Sequence, residues 1–325
     1  MRDAMINDEG TVVREHRNAF DVETDTGVVA CTLRSKLRKT LVYPERDDRY
    51  HTVENVGQIR VINPVTIGDR VRISKQENDN SGAIEEVLPR RSKLSRKAPG
   101  RRQVEQIMIA NADYLIIVLA VKNPVPNIRL LNRLLVAAEA GTLTPIICLN
   151  KMDLWTLESP DIQETYKQVG YRIIPTSALT GLGIDELRKL LSRKISAIAG
   201  PSGVGKTSLL NALQPGLGLK VREVNRSTGQ GRHTTSYLAG HKLDVGGLVI
   251  DTPGIREFSL WDITPEELPG MFPDLSKYIH TCKFHDCAHI HEPGCGVKQA
   301  VEEGLISHGR YDNFVALYEE LKGNW

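Results

Sequence analysis

The chain has 325 residues, 40% of them hydrophobic and 25% charged, with a net charge of +2. Its length fits two or three domains, and its composition excludes a disordered or fibrous chain. The near-neutral balance also excludes a broadly basic nucleic-acid binder, so any such partner must be met through local patches.

The longest apolar run, "YLIIVLAV" at 114–121, is too short to span a membrane, and the opening "MRDAMINDEG" lacks the apolar core of a secretory leader. A cytoplasmic monomer with no membrane contact is expected.

Residues 10–88 read as short strands with turn signals between them. "GTVVREHRNAFDVETDTGVVACTL" holds two or three strands broken at "DTG", "NPVTIGDRVRIS" leads into another, and "GAIEEVL" closes the set. Such a run fits a small closed barrel over residues 1–88, of the oligonucleotide-binding (OB) type or the SH3-like type. Residues 89–102, "PRRSKLSRKAPGRR", hold seven bases and no acid. They read as a basic linker, either a solvated spacer or a phosphate contact.

From 103 to 264 the pattern alternates. "YLIIVLAV", "TPIICLN", "YRIIPTSA", "ISAIAG" and "GGLVID" read as strands; "NIRLLNRLLVAAEA", "GIDELRKLLS" and "KTSLLNAL" read as helices. That alternation predicts a mostly parallel sheet covered by helices on both faces. Residues 265–325 lose the strands and read as a mostly helical module. The expected fold class is therefore multidomain: a β-barrel, an α/β domain with a phosphate loop, and a C-terminal helical metal-binding domain.

Gly200, Pro201, Ser202, Gly203, Val204, Gly205, Lys206, Thr207 and Ser208 match G-x-x-x-x-G-K-[ST], between a predicted strand and a predicted helix. Glycines let the backbone curl until its N–H groups face phosphate oxygens, and the helix adds the positive end of its dipole. Lys206 would neutralise the β/γ oxygens and Thr207 would give its hydroxyl to Mg²⁺. Asp251, at the end of "LVID", would hold the same Mg²⁺, and the N–H of Gly254 would sense the γ-phosphate. In "NKMD", Asp153 can accept two hydrogen bonds from guanine that adenine cannot offer. Asn150 would bond the base edge or brace the phosphate loop, and the Lys151 stem would lie along the base. "TSA", with Ser177 and Ala178, would place a backbone N–H on guanine O6.

The base reader here precedes the phosphate loop, the reverse of the usual order. A sheet can be cut and rejoined elsewhere when its termini lie close together. In the polar segment "STGQGRHTTSY", Thr235 (or Thr234) is the candidate second Mg²⁺ ligand. Ile255 stands where signalling GTPases place a water-orienting glutamine, which leaves His233 as the nearest residue fit for that task.

Of five cysteines, Cys31 and Cys148 read as buried thiols, while Cys282, Cys287 and Cys295 crowd into "CKFHDCAHIHEPGC". With His289 they make a closed set of three thiolates and one imidazole, typical of structural zinc. His285 and His291 are rival fourth ligands.

The succession of "NKMD", "TSA", "GPSGVGKTS", "GRHTT", "DTPGIREF" and Cys-x4-Cys-x-His-x5-Cys resembles the bacterial small-ribosomal-subunit-dependent GTPase A family (RsgA, also called YjeQ) over nearly the whole chain. The resemblance implies an OB-type barrel, a circularly permuted GTPase domain and a zinc domain. It implies hydrolysis of GTP to GDP stimulated by the small ribosomal subunit, contact with its 16S rRNA, and a role late in that subunit's maturation. It also assigns the hydrolytic role to His233 and the zinc to Cys282, Cys287, His289 and Cys295. An alternative is a GTP-gated RNA-binding checkpoint in which hydrolysis only times release.

Overall fold

The computed structural model describes residues 5–17, 19–34, 37, 64–76, 80–98, 104–157, 161–219, 239–252 and 258–323. Contacts divide the chain into two compact units: Met1–Ala112 with His233–Gly240, and Asp113–Arg232 with His241–Trp325.

The first unit holds β1 (Met5–Glu15), β2 (Phe20–Thr24), β3 (Gly27–Leu33), β4 (Arg70–Gln76) and β5 (Ser81–Val87). β1 pairs antiparallel with both β2 and β4, β2 pairs with β3, β4 pairs with β5, and β3 runs parallel to β5. That circuit closes a five-stranded barrel of the OB type. Alternation drives it: Val12, Val22, Val29, Cys31, Val71, Ile73 and Ile84 point inward and are buried. The stretch read as a basic linker contains a further strand, β6 (Lys93–Lys97), paired antiparallel with β7 (Glu105–Ala110). Arg90 is drawn in as well, its guanidinium making 2.6 and 2.7 Å bonds to fully buried Asp69 and a 3.0 Å bond to the Pro64 carbonyl.

The second unit begins with β8 (Tyr114–Ala120), α1 (Ile128–Ala140), β9 (Thr144–Asn150), α2 (Ile162–Val169) and β10 (Arg172–Pro175). It continues with α3 (Ile184–Leu191), β11 (Ile195–Ala199), α4 (Lys206–Leu213) and, after β12 (Ala239–Lys242), whose first two residues count with the first unit, β13 (Leu248–Asp251). Strands β10, β9, β8, β11 and β13 lie side by side in that order, all parallel. Continuous apolar runs suit strands covered on both faces, and β8 is buried from Leu115 to Ala120. Asn127 opens α1, its side chain accepting from the Leu130 N–H at 3.0 Å. Chain order and spatial order disagree because β11, which leads into the phosphate loop, lies between β8 and β13.

The same unit ends in the helical module: α5 (Pro273–Ser276), α6 (Gly296–Glu302) and α7 (His308–Gly323). Its apolar core (Leu268, Phe272, Leu275, Val297, Phe314, Leu317) takes in Val136 from α1.

Candidate nucleotide site and metal cluster

The phosphate loop runs from the end of β11 into α4. Gly205 has φ 94°, and a Cβ there would stand 2.6 Å from Asn150 Nδ2, so only glycine fits. Gly200 has φ 147° and is packed so closely that a Cβ would meet the Val118 carbonyl oxygen at 2.3 Å. Lys206 Nζ donates to the carbonyls of Gly200 (2.7 Å) and Pro201 (2.9 Å), which keeps the ammonium on its own loop. Burial depresses the Lys206 pKa, and Asp251 partly restores it. Burial likewise raises the carboxyl of Asp251, against the pull of Lys206 and His241. Asp251 Oδ1 is buried without a hydrogen-bond partner among the described residues. An orphaned buried carboxylate oxygen next to a phosphate loop fits a divalent cation, which would supply the missing positive charge. Thr207 lies in the first turn of α4, half-buried.

The base-reading loop follows β9. Asn150, 1% exposed, donates through Nδ2 to the Val204 carbonyl at 2.9 Å, and its Oδ1 accepts from Thr176 Oγ1 at 3.2 Å. One end of the amide thus braces the phosphate loop, and the other is held by the "TSA" loop. Lys151 sits in the left-handed region (φ 62°) and its Nζ bonds the carbonyls of Gly203, at 2.7 Å, and Asn123. Ser177 Oγ donates to Asp153 Oδ1 at 2.5 Å, and the Ser177 N–H is taken by the Leu182 carbonyl at 3.0 Å. The loops carrying "NKMD", "TSA" and "GPSGVGKTS" are therefore one hydrogen-bonded assembly. The sequence reading gave "TSA" only a backbone role and missed the Thr176 hydroxyl and the Asn123 carbonyl. A polar residue closing an apolar strand was the available signal for Thr176; nothing marked Asn123. His233, Thr234, Thr235, Gly254 and Ile255 lie outside the described residues.

In the helical module, the ligand atoms of Cys282, Cys287, His289 and Cys295 all lie within 4.8 Å of one another and could hold a metal ion. A tetrahedral centre with metal–sulfur bonds of about 2.3 Å and a metal–nitrogen bond of about 2.0 Å has S–S edges of about 3.8 Å and S–N edges of about 3.5 Å. Here Cys282 and Cys295 Sγ are 3.9 Å apart, and His289 Nδ1 is 3.4 and 3.5 Å from them. Burial pushes the Cys287 thiol up to about 12, which a bound cation would offset, and lowers His289, which favours the neutral imidazole that a metal takes as ligand. His289 is buried, whereas His285 and His291 are exposed. Glu292 accepts from the N–H groups of Ala288, Ile290 and His291, each at 3.2 Å, and so shapes the ligand loop. The Tyr311 hydroxyl holds the His289 carbonyl at 2.7 Å.

A phosphate loop braced by an "NKMD" loop that precedes it in the chain, on a parallel sheet, defines a circularly permuted P-loop GTPase. A family model described as RsgA GTPase matches residues 87–261, and the chain belongs to that family. The small ribosomal subunit biogenesis GTPase RsgA of Gemmatimonas aurantiaca is 43% identical over 261 residues, 80% of this chain and 85% of that one. The protein of the same name from Moorella thermoacetica is 39% identical over 315 residues, 96% and 97% of the two chains. Among solved structures, YjeQ from Thermotoga maritima matches with a TM-score of 0.73 at 37% identity, over 98% of this chain and 99% of that one. YloQ, described as a circularly permuted GTPase, matches at 0.70 and 30% identity, over 98% and 96%.

Proposed function

We propose that this GTPase binds the small ribosomal subunit, hydrolyses GTP faster when bound to it, and acts late in that subunit's maturation. The names of its relatives support the partner. The observation that supports the chemistry is the Asn150–Val204 bond, which ties the "NKMD" loop to the phosphate loop.

In this reading Asp153 selects guanine, the Ala178 N–H meets guanine O6, and the Lys151 stem covers one face of the base. The N–H groups of residues 200–208 and the Lys206 ammonium hold the phosphates. Thr207, Asp251 and Thr235 hold Mg²⁺, which when bound neutralises charge on the phosphate oxygens. Gly254 senses the γ-phosphate, and His233 orients the attacking water. With Ile255 in place of glutamine, hydrolysis by the chain alone is slow. Cys282, Cys287, His289 and Cys295 hold a structural zinc, since four protein ligands leave no open position for a substrate. The barrel and the bases of residues 89–102 other than Arg90 contact 16S rRNA. Among the described residues no helix is long and apolar enough to cross a membrane, and we place the chain in the cytoplasm as a monomer.

The test is GTP turnover with and without purified small subunits, with ATP as the control nucleotide. Acceleration by small subunits for GTP alone is expected. Turnover of GTP that small subunits leave unchanged would remove the ribosome from this reading.

A further inference from the structure

The loops after β9 and β10 hold Leu154, Trp155, Leu157, Leu179 and Leu182, all exposed, with Leu157 at 92% and Leu179 at 83%. They form one edge, because the Met152 N–H donates to the Thr176 carbonyl at 3.1 Å and Ser177 bonds Asp153. Apolar side chains gathered at one edge mark an interaction surface, where scattered ones would not.

The charge of this edge is one-sided. No lysine or arginine occurs from Met152 to Tyr166 or from Thr176 to Leu187. Asp161, Glu164 and Asp185 are exposed there. A recess of about 340 Å³ opens beside the base-reading loop, lined by Val121, Leu149, Met152 and Trp155 with Asp161 and Glu164. Apolar walls, an indole and two carboxylates suit the stem and cationic head of a long basic side chain. An RNA backbone would be repelled by the same carboxylates.

We propose that this edge docks a basic, partly apolar polypeptide segment of a protein partner, with a lysine or arginine side chain entering the recess. The proposal rests on the reading that the partner is the small ribosomal subunit, which offers both protein and RNA surfaces; it assigns this edge to protein.

The experiment measures the affinity of the full chain, loaded with a non-hydrolysable GTP analogue, for purified small subunits. Three chains are compared: the unaltered one, Glu164→Lys with Asp185→Lys, and Leu157→Ser with Leu179→Ser. Charge reversal is expected to weaken binding roughly tenfold and loss of the leucines at least about threefold. GTP turnover without subunits, which reports folding, should not change. Tighter binding after charge reversal would assign the edge to RNA and overturn the proposal, as would unchanged affinity of both variants. If the unaltered chain does not bind small subunits at all, the functional reading falls first and this proposal with it. That result is distinct from binding which the variants leave untouched.

Discussion

Asp153 is exposed, yet its carboxylate is oriented, because Ser177 donates to Oδ1 at 2.5 Å and the neighbouring Asn150 is locked at both ends of its amide. In the proposed function, base choice then rests on one acceptor pair. Xanthine carries a carbonyl where guanine carries its 2-amino group, so an amide at this position should favour it. Asp153→Asn is expected to lose about 100-fold in affinity for GTP and to gain affinity for XTP, since one mismatched buried polar pair costs several kcal/mol. Competition binding with the two nucleotides checks this, and an unchanged preference for GTP would count against Asp153 as the reader. Candidates of this kind stand out in the sequence because such chemistry demands fixed types at fixed spacing. Arg310 was not. It lies among ordinary charges in a helical stretch, and only the folded chain brings it to Asp274.

That pairing ties the C-terminal elements to one another and to α1. Arg310, 2% exposed, reaches from α7 to Asp274 in α5 through two bonds of 2.9 and 2.6 Å, and to Asn132 in α1. Its guanidinium also lies over the rings of Phe272 (4.7 Å) and Tyr166 (5.3 Å). Removing one partner of a buried ion pair leaves the other charge uncompensated, at a cost of about 3–5 kcal/mol, while replacing both with apolar groups can be nearly neutral. Arg310→Met should therefore lower the urea midpoint far more than Arg310→Met combined with Asp274→Leu. Equal losses in the two would mean that Arg310 acts through packing alone. Strand–helix alternation from 103 to 264 was readable because periods of two and 3.6 differ. Strand β6 was hidden because its five residues carry three bases, and only Leu94 among them is buried.

At the scale of the molecule, the helical module belongs to the same compact unit as the nucleotide site. Arg133 adds to the tie, bonding the Phe258 carbonyl at 3.2 Å and Glu320 of α7. Calorimetry should show two transitions, one for the barrel unit and one shared by the GTPase sheet and the module. GTP with Mg²⁺ at 100 times its dissociation constant should stabilise the second by about 2.7 kcal/mol and leave the first in place. A separate third transition for the module would contradict the shared core around Val136.

The reversed order of the loops also has a consequence during synthesis. At about 5–20 residues per second, the ribosome making this chain takes roughly 5–20 s to pass from the guanine reader to Asp251. Over that interval the nascent chain carries first the "NKMD" loop and then the "TSA" loop, with no complete phosphate site beside them. Nucleotide therefore cannot act as a folding template for the first strands of the sheet. β8, β9 and β10 must find one another on apolar burial alone, and GTP can reward the fold only after most of it has been made.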